Sequence, residues 1–96
     1  MAAYIIAEIQ VTEPAAYEEY RPPAAASIAR FGGRFVVRGG KIELFEGEPQ
    51  PQRVVVIEFP DLDTARRWYR SDEYQSALKI RQAASRGRVF VVEGAG

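Results

Sequence analysis

Phe31-Gly32-Gly33-Arg34-Phe35-Val36-Val37-Arg38-Gly39-Gly40 is the stretch whose reading decides the fold. Two glycine pairs bracket a short β-prone segment that carries an arginine near each end. Glycine reaches the left-handed conformation that closes a helix, so Gly32-Gly33 predicts a helix stop. Arg34 to Arg38 then predicts a strand, and Gly39-Gly40 permits a turn after it.

Upstream of the helix stop, Tyr17, Tyr20, Ala24, Ile28 and Phe31 fall on one stripe at close to helical spacing. Thr12 is placed to cap this helix, with Glu13 near its positive end and Pro14 in its first turn. Pro22-Pro23 removes hydrogen bonds from its middle and predicts a kink or a break into two pieces. Before it, Ala3 to Val11 alternates as a strand, with Ile5, Ala7, Ile9 and Val11 on one face.

Downstream, Lys41 to Phe45 alternates like a short edge strand, and Glu46 to Gln52 is a polar loop. Arg53 to Phe59 is a strand rich in β-branched residues, stopped by Pro60. Asp61 or Asp63 caps a second helix whose buried side is Leu62, Ala65, Trp68 and Tyr69. Ser71, followed by Asp72 and Glu73, reads as a fresh N-cap. The second helix therefore breaks near Ser71 and resumes from Asp72 to about Ala84. Arg86 to Glu93 is the last strand, and residues 94–96 form a frayed tail. The order β-α-β-β-α-β predicts an α+β fold of the ferredoxin-like kind. Both helices lie on one face of a four-stranded antiparallel sheet.

The chain has 96 residues, enough for one domain with a thin core. There is no cysteine and no histidine. That removes disulfides and thiolate nucleophiles, along with the commonest metal ligands and the commonest neutral-pH base. Lys+Arg and Asp+Glu are equal at 13 each, and no basic stripe suggests a nucleic-acid partner. No apolar run approaches the roughly 20 residues of a membrane span. The N-terminus lacks the features of a signal peptide. A soluble, cytoplasmic protein with no metal and no cofactor is the expectation.

The sheet face away from the helices should alternate polar and apolar residues if it meets water. Placing the purely apolar residues under the helices leaves Tyr4, Ile6, Glu8 and Gln10 on the second face. Arg34, Val36 and Arg38 join them, with Val54, Val56 and Glu58, and Val89, Val91 and Glu93. So apolar a surface predicts a homodimer, sheet on sheet. Arg38 and Glu58 would then sit on adjacent strands under the cover. They would form either a structural ion pair or part of a site for a small polar ligand.

Several segments carry a resemblance. Tyr17-Glu18-Glu19-Tyr20, Phe31-Gly32-Gly33-Arg34-Phe35 and Arg38-Gly39-Gly40 come first. Val56-Ile57-Glu58-Phe59-Pro60, Ala65-Arg66-Arg67-Trp68-Tyr69 and Ser71-Asp72-Glu73-Tyr74 follow, then Arg81-Gln82 and Val91-Val92-Glu93-Gly94. Together and in this order they resemble the uncharacterised DUF1330 family over nearly the whole chain. The resemblance implies the dimeric α/β-barrel superfamily, in which two ferredoxin-like subunits pack their sheets face to face. It also implies a range of chemistries among distant relatives: cofactor-free monooxygenases, haem-degrading enzymes, chlorite dismutases and ligand-sensing domains. Fold alone does not choose among them. The usual haem site wants an axial histidine, which this chain lacks.

A crevice where the sheet meets the broken helices would be lined by Tyr17, Tyr20, Trp68, Tyr69 and Tyr74. Arg38, Glu58 and Ser71 would supply polar groups. For an enzyme, Glu58 is the candidate acid or base, its pKa raised on a covered apolar face. Arg38 would hold an anionic substrate or a developing enolate oxygen. The expected function is a homodimer with one small pocket per subunit, acting as a cofactor-independent oxygenase or isomerase on a small organic molecule. The alternative is a non-catalytic ligand-binding or stress-associated domain.

Overall fold

The computed structural model describes residues 1–96. Strand β1 (Ala3–Val11) leads into helix α1 (Pro14–Arg30), followed by β2 (Arg34–Arg38) and β3 (Arg53–Phe59). Helices α2 (Leu62–Arg70) and α3 (Asp72–Ala84) precede the final strand β4 (Ser85–Glu93). The four strands pair antiparallel in the order β2-β3-β1-β4. With α2 and α3 as one interrupted helix, this is the expected βαββαβ architecture.

The opening stretch behaves largely as read. After α1, the N–H of Gly32 donates to Ala29 O at 3.0 Å and that of Gly33 to Ile28 O at 2.9 Å. Gly32 takes φ +76°, so the helix closes in a paired left-handed cap that satisfies two of its last carbonyls. Ser71 also behaves as read. Its Oγ accepts from Tyr74 N at 3.2 Å and donates to Trp68 O at 2.7 Å, ending α2 and starting α3. Asp61, not Asp63, caps α2, accepting from Thr64 N at 2.7 Å.

The core lies between the sheet and the helices. Ala3, Ile5, Val55, Ile57 and Phe59 meet Ala24 and Ile28 of α1, Ala65 and Trp68 of α2, and Tyr74, Ala77 and Leu78 of α3. Trp68 is its centre, with ring centroids 4.0 Å from Tyr74 and 5.2 Å from Phe59. Its indole N–H is buried and donates to Ser27 Oγ at 3.0 Å, tying α2 to α1.

Several local expectations are corrected. Helix α1 runs unbroken through Pro22-Pro23. Both prolines are exposed, as are Glu18 and Glu19, whose carbonyls the prolines leave unmatched, so water can serve them. The buried stripe of Tyr17, Ala24, Ser27 and Ile28 holds the helix together. Thr12 does not cap it: Glu13 occupies the cap position without a side-chain bond, and the N–H groups of Thr12 and Glu13 both donate to Ala84 O. No strand forms over Lys41–Phe45, where pairing has already ended at Arg38 and the alternating side chains find no neighbour. Phe45 there is 89% exposed. Gly94 is not frayed, since its N–H donates to Ala2 O at 2.7 Å.

Two further corrections move residues between the faces of the sheet. Strand β2 bulges between Phe35 and Val37, so that Val37 stands opposite Val56 and Arg38 opposite Val55. One extra residue reverses the phase of everything after it. Arg38 therefore shares the helix side with Phe35, and Glu58 remains on the open side, opposite Arg34. In β4, Val91 pairs with Ile5 and Val89 with Ala7, which places both valines on the helix side, in phase with Glu93. Phe90 and Val92 take the open face instead, and both are exposed. A run of four apolar residues has no alternation of its own, so its phase comes from its neighbour.

Candidate functional site

Between α1 and the helix side of the sheet lies a cavity of about 40 Å³. Its floor is Ile5, Ala7 and Ile9 of β1 with Val55 and Ile57 of β3. Its roof is Tyr17, Tyr20, Ala24 and Ile28 of α1, and Trp68 and Tyr74 close its inner end. Alanine at positions 7 and 24, where larger residues flank it on both elements, leaves this space open. Arg38 is exposed, Arg21 and Arg53 are half-buried, and Arg81 is buried, so the cavity runs from a mouth near Arg38 inward. That space suits a flat molecule of few atoms, or the buried end of a larger one.

The aromatic wall is a connected series. Tyr17 and Tyr20 rings are 5.5 Å apart, and Tyr20 meets Tyr74 edge-on at 6.2 Å. The hydroxyls of Tyr20 and Tyr74 share a hydrogen bond of 2.8 Å. Burial, then the neighbouring Tyr74 hydroxyl, pushes the Tyr20 pKa well above the ordinary phenol value. Tyr20 is therefore a neutral donor at any physiological pH and not a base.

Four arginines are among the residues lining the same space: Arg21, Arg38, Arg53 and Arg81. Arg38 stacks 4.1 Å over Phe35, Arg53 lies 5.9 Å over Tyr17, and Arg81 lies 6.0 Å over Tyr20. Burial lowers the pKa of Arg81, but Tyr74, Tyr20 and Tyr69 outweigh it, so its pKa is raised and it stays charged. No carboxylate lines the cavity. Nor do three or more His, Cys, Asp or Glu side chains converge anywhere in a way that could hold a metal ion.

Of the residues singled out from sequence, Tyr17, Tyr20, Trp68, Tyr74 and Arg38 come together at this cavity. Tyr69 does not reach it. Its ring lies 5.5 Å from Tyr74, on the side of a separate groove beside β4. Ser71 is occupied as a helix cap. Glu58 is on the opposite face of the sheet, where it accepts from Tyr4 Oη at 2.9 Å and Arg34 Nε at 2.7 Å. The expected Arg38–Glu58 pair does not exist: Glu58 stands opposite Arg34, at the other end of β2 from Arg38, and the bulge puts Arg38 on the other face. The expected raised pKa is also reversed: the Tyr4 hydrogen bond, and then Arg34, hold the Glu58 carboxyl below its ordinary range.

Arg53 and Arg81 were missed, although each left a signal. Arg53 is in phase with Val55, Ile57 and Phe59, the inward residues of β3. Arg81 continues the buried stripe Tyr74, Ala77, Leu78 and Ala84 of α3. A charge on an inward phase is the mark of a site, and the stripes had been read only for their apolar members.

A family model described as a domain of unknown function, DUF1330, matches residues 2–95. No curated protein matches the sequence. Among solved structures, the fold is similar to a protein of unknown function from Rhodopseudomonas palustris. That likeness has TM-score 0.81 and 22% identity, covering 99% of this chain and 83% of that one. It is also similar to SnoaB, a cofactor-independent oxygenase from Streptomyces nogalater, with TM-score 0.70 and 21% identity, covering 99% and 94%. A third similar structure is a dimeric protein of unknown function and ferredoxin-like fold from Bacteroides fragilis. There the TM-score is 0.61 and the identity 14%, with coverage of 97% and 95%. At these identities the likeness is one of fold.

Proposed function

The chain belongs to the DUF1330 family of domains of unknown function, and from that premise we propose that it is a homodimer in which each subunit binds and transforms a small organic molecule, without a cofactor, in the cavity beneath α1. The observation that carries this reading is the cavity itself: aromatic walls, a tyrosine hydroxyl pair and four arginines around one space. Small-molecule sites have that composition. Trp68 and Tyr17 supply flat walls, and the Tyr20–Tyr74 hydroxyl pair offers a neutral hydrogen bond to a substrate oxygen. Arg38 orients the substrate at the mouth. An oxygenase-type reaction is the leading chemistry, supported by the fold shared with a cofactor-independent oxygenase.

The dimer forms through the open sheet face. Ile6, Val54, Val56, Phe90 and Val92 supply its apolar centre. Both glutamates of β1 and β3 on that face are already matched within the sheet, Glu58 with Arg34 at 2.7 Å and Glu8 with Arg88 at 3.0 Å. A partner can cover paired charges at far lower cost than lone ones. The similar structure from Bacteroides fragilis is described as dimeric, which supports pairing of this kind of fold.

A second reading, binding without turnover, is favoured by one observation. The cavity holds no carboxylate and the chain holds no histidine, so the usual side-chain bases are missing from the cavity, and burial pushes the Tyr20 pKa up, away from such a role. Trp68 is the only tryptophan in the chain and lines the cavity, so its fluorescence reports occupancy directly. A screen of metabolite carboxylates, phenols and flavins by Trp68 emission and thermal shift tests the site, because a ligand stabilises the native state it binds. Saturable binding with protein-dependent oxygen uptake supports the oxygenase reading. Saturable binding with no chemical change to the ligand supports the second. Absence of any binding across the panel refutes both.

A further inference from the structure

The charges around the cavity do not balance. The molecule contains five ion pairs, which engage Arg21, Arg30, Arg34, Arg67 and Arg88. Arg38, Arg53 and Arg81, all lining the cavity, take part in none of them. Arg81 is only 8% exposed. Arg53 Nε and Arg81 Nε are both buried and donate to nothing. A chain of zero net charge with 13 carboxylate side chains has thus spent none of them on three arginines gathered at one cavity. Arg81 is the buried one of the three, and a buried cation with no carboxylate partner is costly unless something supplies the missing charge.

Gly39 adds a second sign that Arg53 is deliberately placed. It takes φ +73°, and a Cβ built there would collide with Arg53 Nη1. The backbone after β2 thus leaves a berth for this guanidinium, close to the cavity mouth.

We propose that the cavity is an anion site whose ligand is a small planar organic acid, an aromatic or conjugated carboxylate, held by Arg53 and Arg81 with Arg38 at the mouth. This rests on the cavity being a small-molecule site and names the class of molecule. Guanidinium forks match a carboxylate in geometry and charge, and the aromatic walls accept the flat remainder. The Tyr20–Tyr74 pair provides a neutral donor for a carboxylate or ring oxygen. The same cluster stabilises an enolate or phenolate, which lets a substrate enter already ionised where no protein base exists.

The test compares benzoate with benzamide, its neutral near-isostere, by titration of Trp68 fluorescence on the intact protein. Wild type should bind benzoate at least about tenfold more tightly than benzamide, the value of one charged hydrogen bond. Arg53→Gln and Arg81→Met should each weaken benzoate by about 10- to 100-fold and leave benzamide unchanged. Arg81→Met should also melt, without ligand, at or above the wild-type temperature, because a buried charge with no carboxylate partner has been removed. Arg53→Gln, at a half-buried position, should melt close to wild type. A purely structural arginine would instead lower the melting temperature. Equal binding of the two ligands, or variants that keep benzoate affinity, overturns the anion inference and leaves the cavity reading standing. If neither ligand binds to wild type, both fall. Should Arg81→Met not fold, Arg53→Gln alone decides, since Arg53 lies at the half-buried end.

Discussion

Ser27→Ala is the substitution that tests the join between core and cavity most directly. Ser27 and Trp68 are each 1% exposed, so no water reaches the bond between them. The hydroxyl accepts from the indole N–H at 3.0 Å and donates to Ala24 O at 2.8 Å. Alanine removes the acceptor, loses almost no volume, and leaves the indole N–H buried against a methyl group. An unsatisfied buried donor costs about 1–3 kcal/mol. For a domain of this length each kcal/mol lowers the melting temperature by about 4–8 °C, so the expected fall is roughly 5–20 °C. Thermal melts followed by far-UV circular dichroism, at one fixed protein concentration, measure the fall, and urea melts give the free-energy change. Trp68→Phe and the double variant complete a cycle whose coupling should be about 1 kcal/mol or more. Because Trp68 also closes the cavity, Ser27→Ala should change its emission and weaken any cavity ligand. A melt within about 0.5 kcal/mol of wild type, with zero coupling, would show that the indole has another partner and refute the reasoning.

Three further outcomes are expected. Ile6→Asp places a carboxylate at the centre of the open face, between Val56 and Phe90. It should weaken the dimer at least about a hundredfold, a penalty of about 3 kcal/mol. Sedimentation velocity at micromolar concentration reads this, and a variant as dimeric as wild type would sink the proposed interface. Glu58 has a lowered pKa, so the stability it contributes is present above the unfolded carboxyl value near 4.5 and is lost as pH falls through the lower folded value. Glu58→Gln should therefore destabilise at pH 7 and converge with wild type in acid; a difference that is constant with pH contradicts this. Gly39→Ala should cost about 1–2 kcal/mol through its left-handed backbone and lower benzoate affinity by displacing Arg53. Gly39→Asn should lower the affinity equally at a smaller cost in stability, and calorimetry separates the two effects.

The fold was legible where local chemistry and tertiary demand coincide. The glycine cap after α1, the Ser71 hinge between α2 and α3, and the strand ended by Pro60 each depend on one residue's backbone or side-chain chemistry. The failures share a different cause. Pro22-Pro23 was judged by what it removes from a helix, and only the tertiary stripe of Tyr17, Ala24 and Ile28 reveals why the helix continues. Lys41–Phe45 has the alternation of a strand but no neighbour to pair with. Of the site, the aromatic wall was readable because Tyr17, Tyr20 and Tyr74 lie on stripes that must face inward. The placement of Arg38 was not, because a single bulged residue in β2 has no signature in Phe35-Val36-Val37-Arg38.

That bulge also explains why the two faces of one sheet hold charge so differently. On the open face every glutamate of β1 and β3 has an arginine across the ladder: Glu8 has Arg88, and Glu58 has Arg34 with Tyr4 added. Such pairs are self-contained, so the face can be covered by another apolar surface without leaving a charge alone. Around the cavity on the helix side the carboxylates are missing and the arginines remain. Had β2 run without its bulge, its register would have set Arg38 opposite Val54 on the open face, with no carboxylate across from it and one arginine too few at the cavity mouth. The extra residue moves Arg38 from the face proposed for assembly to the face proposed for binding, where Arg53 and Arg81 already stand without carboxylates. An incomplete set of cations inside aromatic walls is what a ligand's negative charge completes.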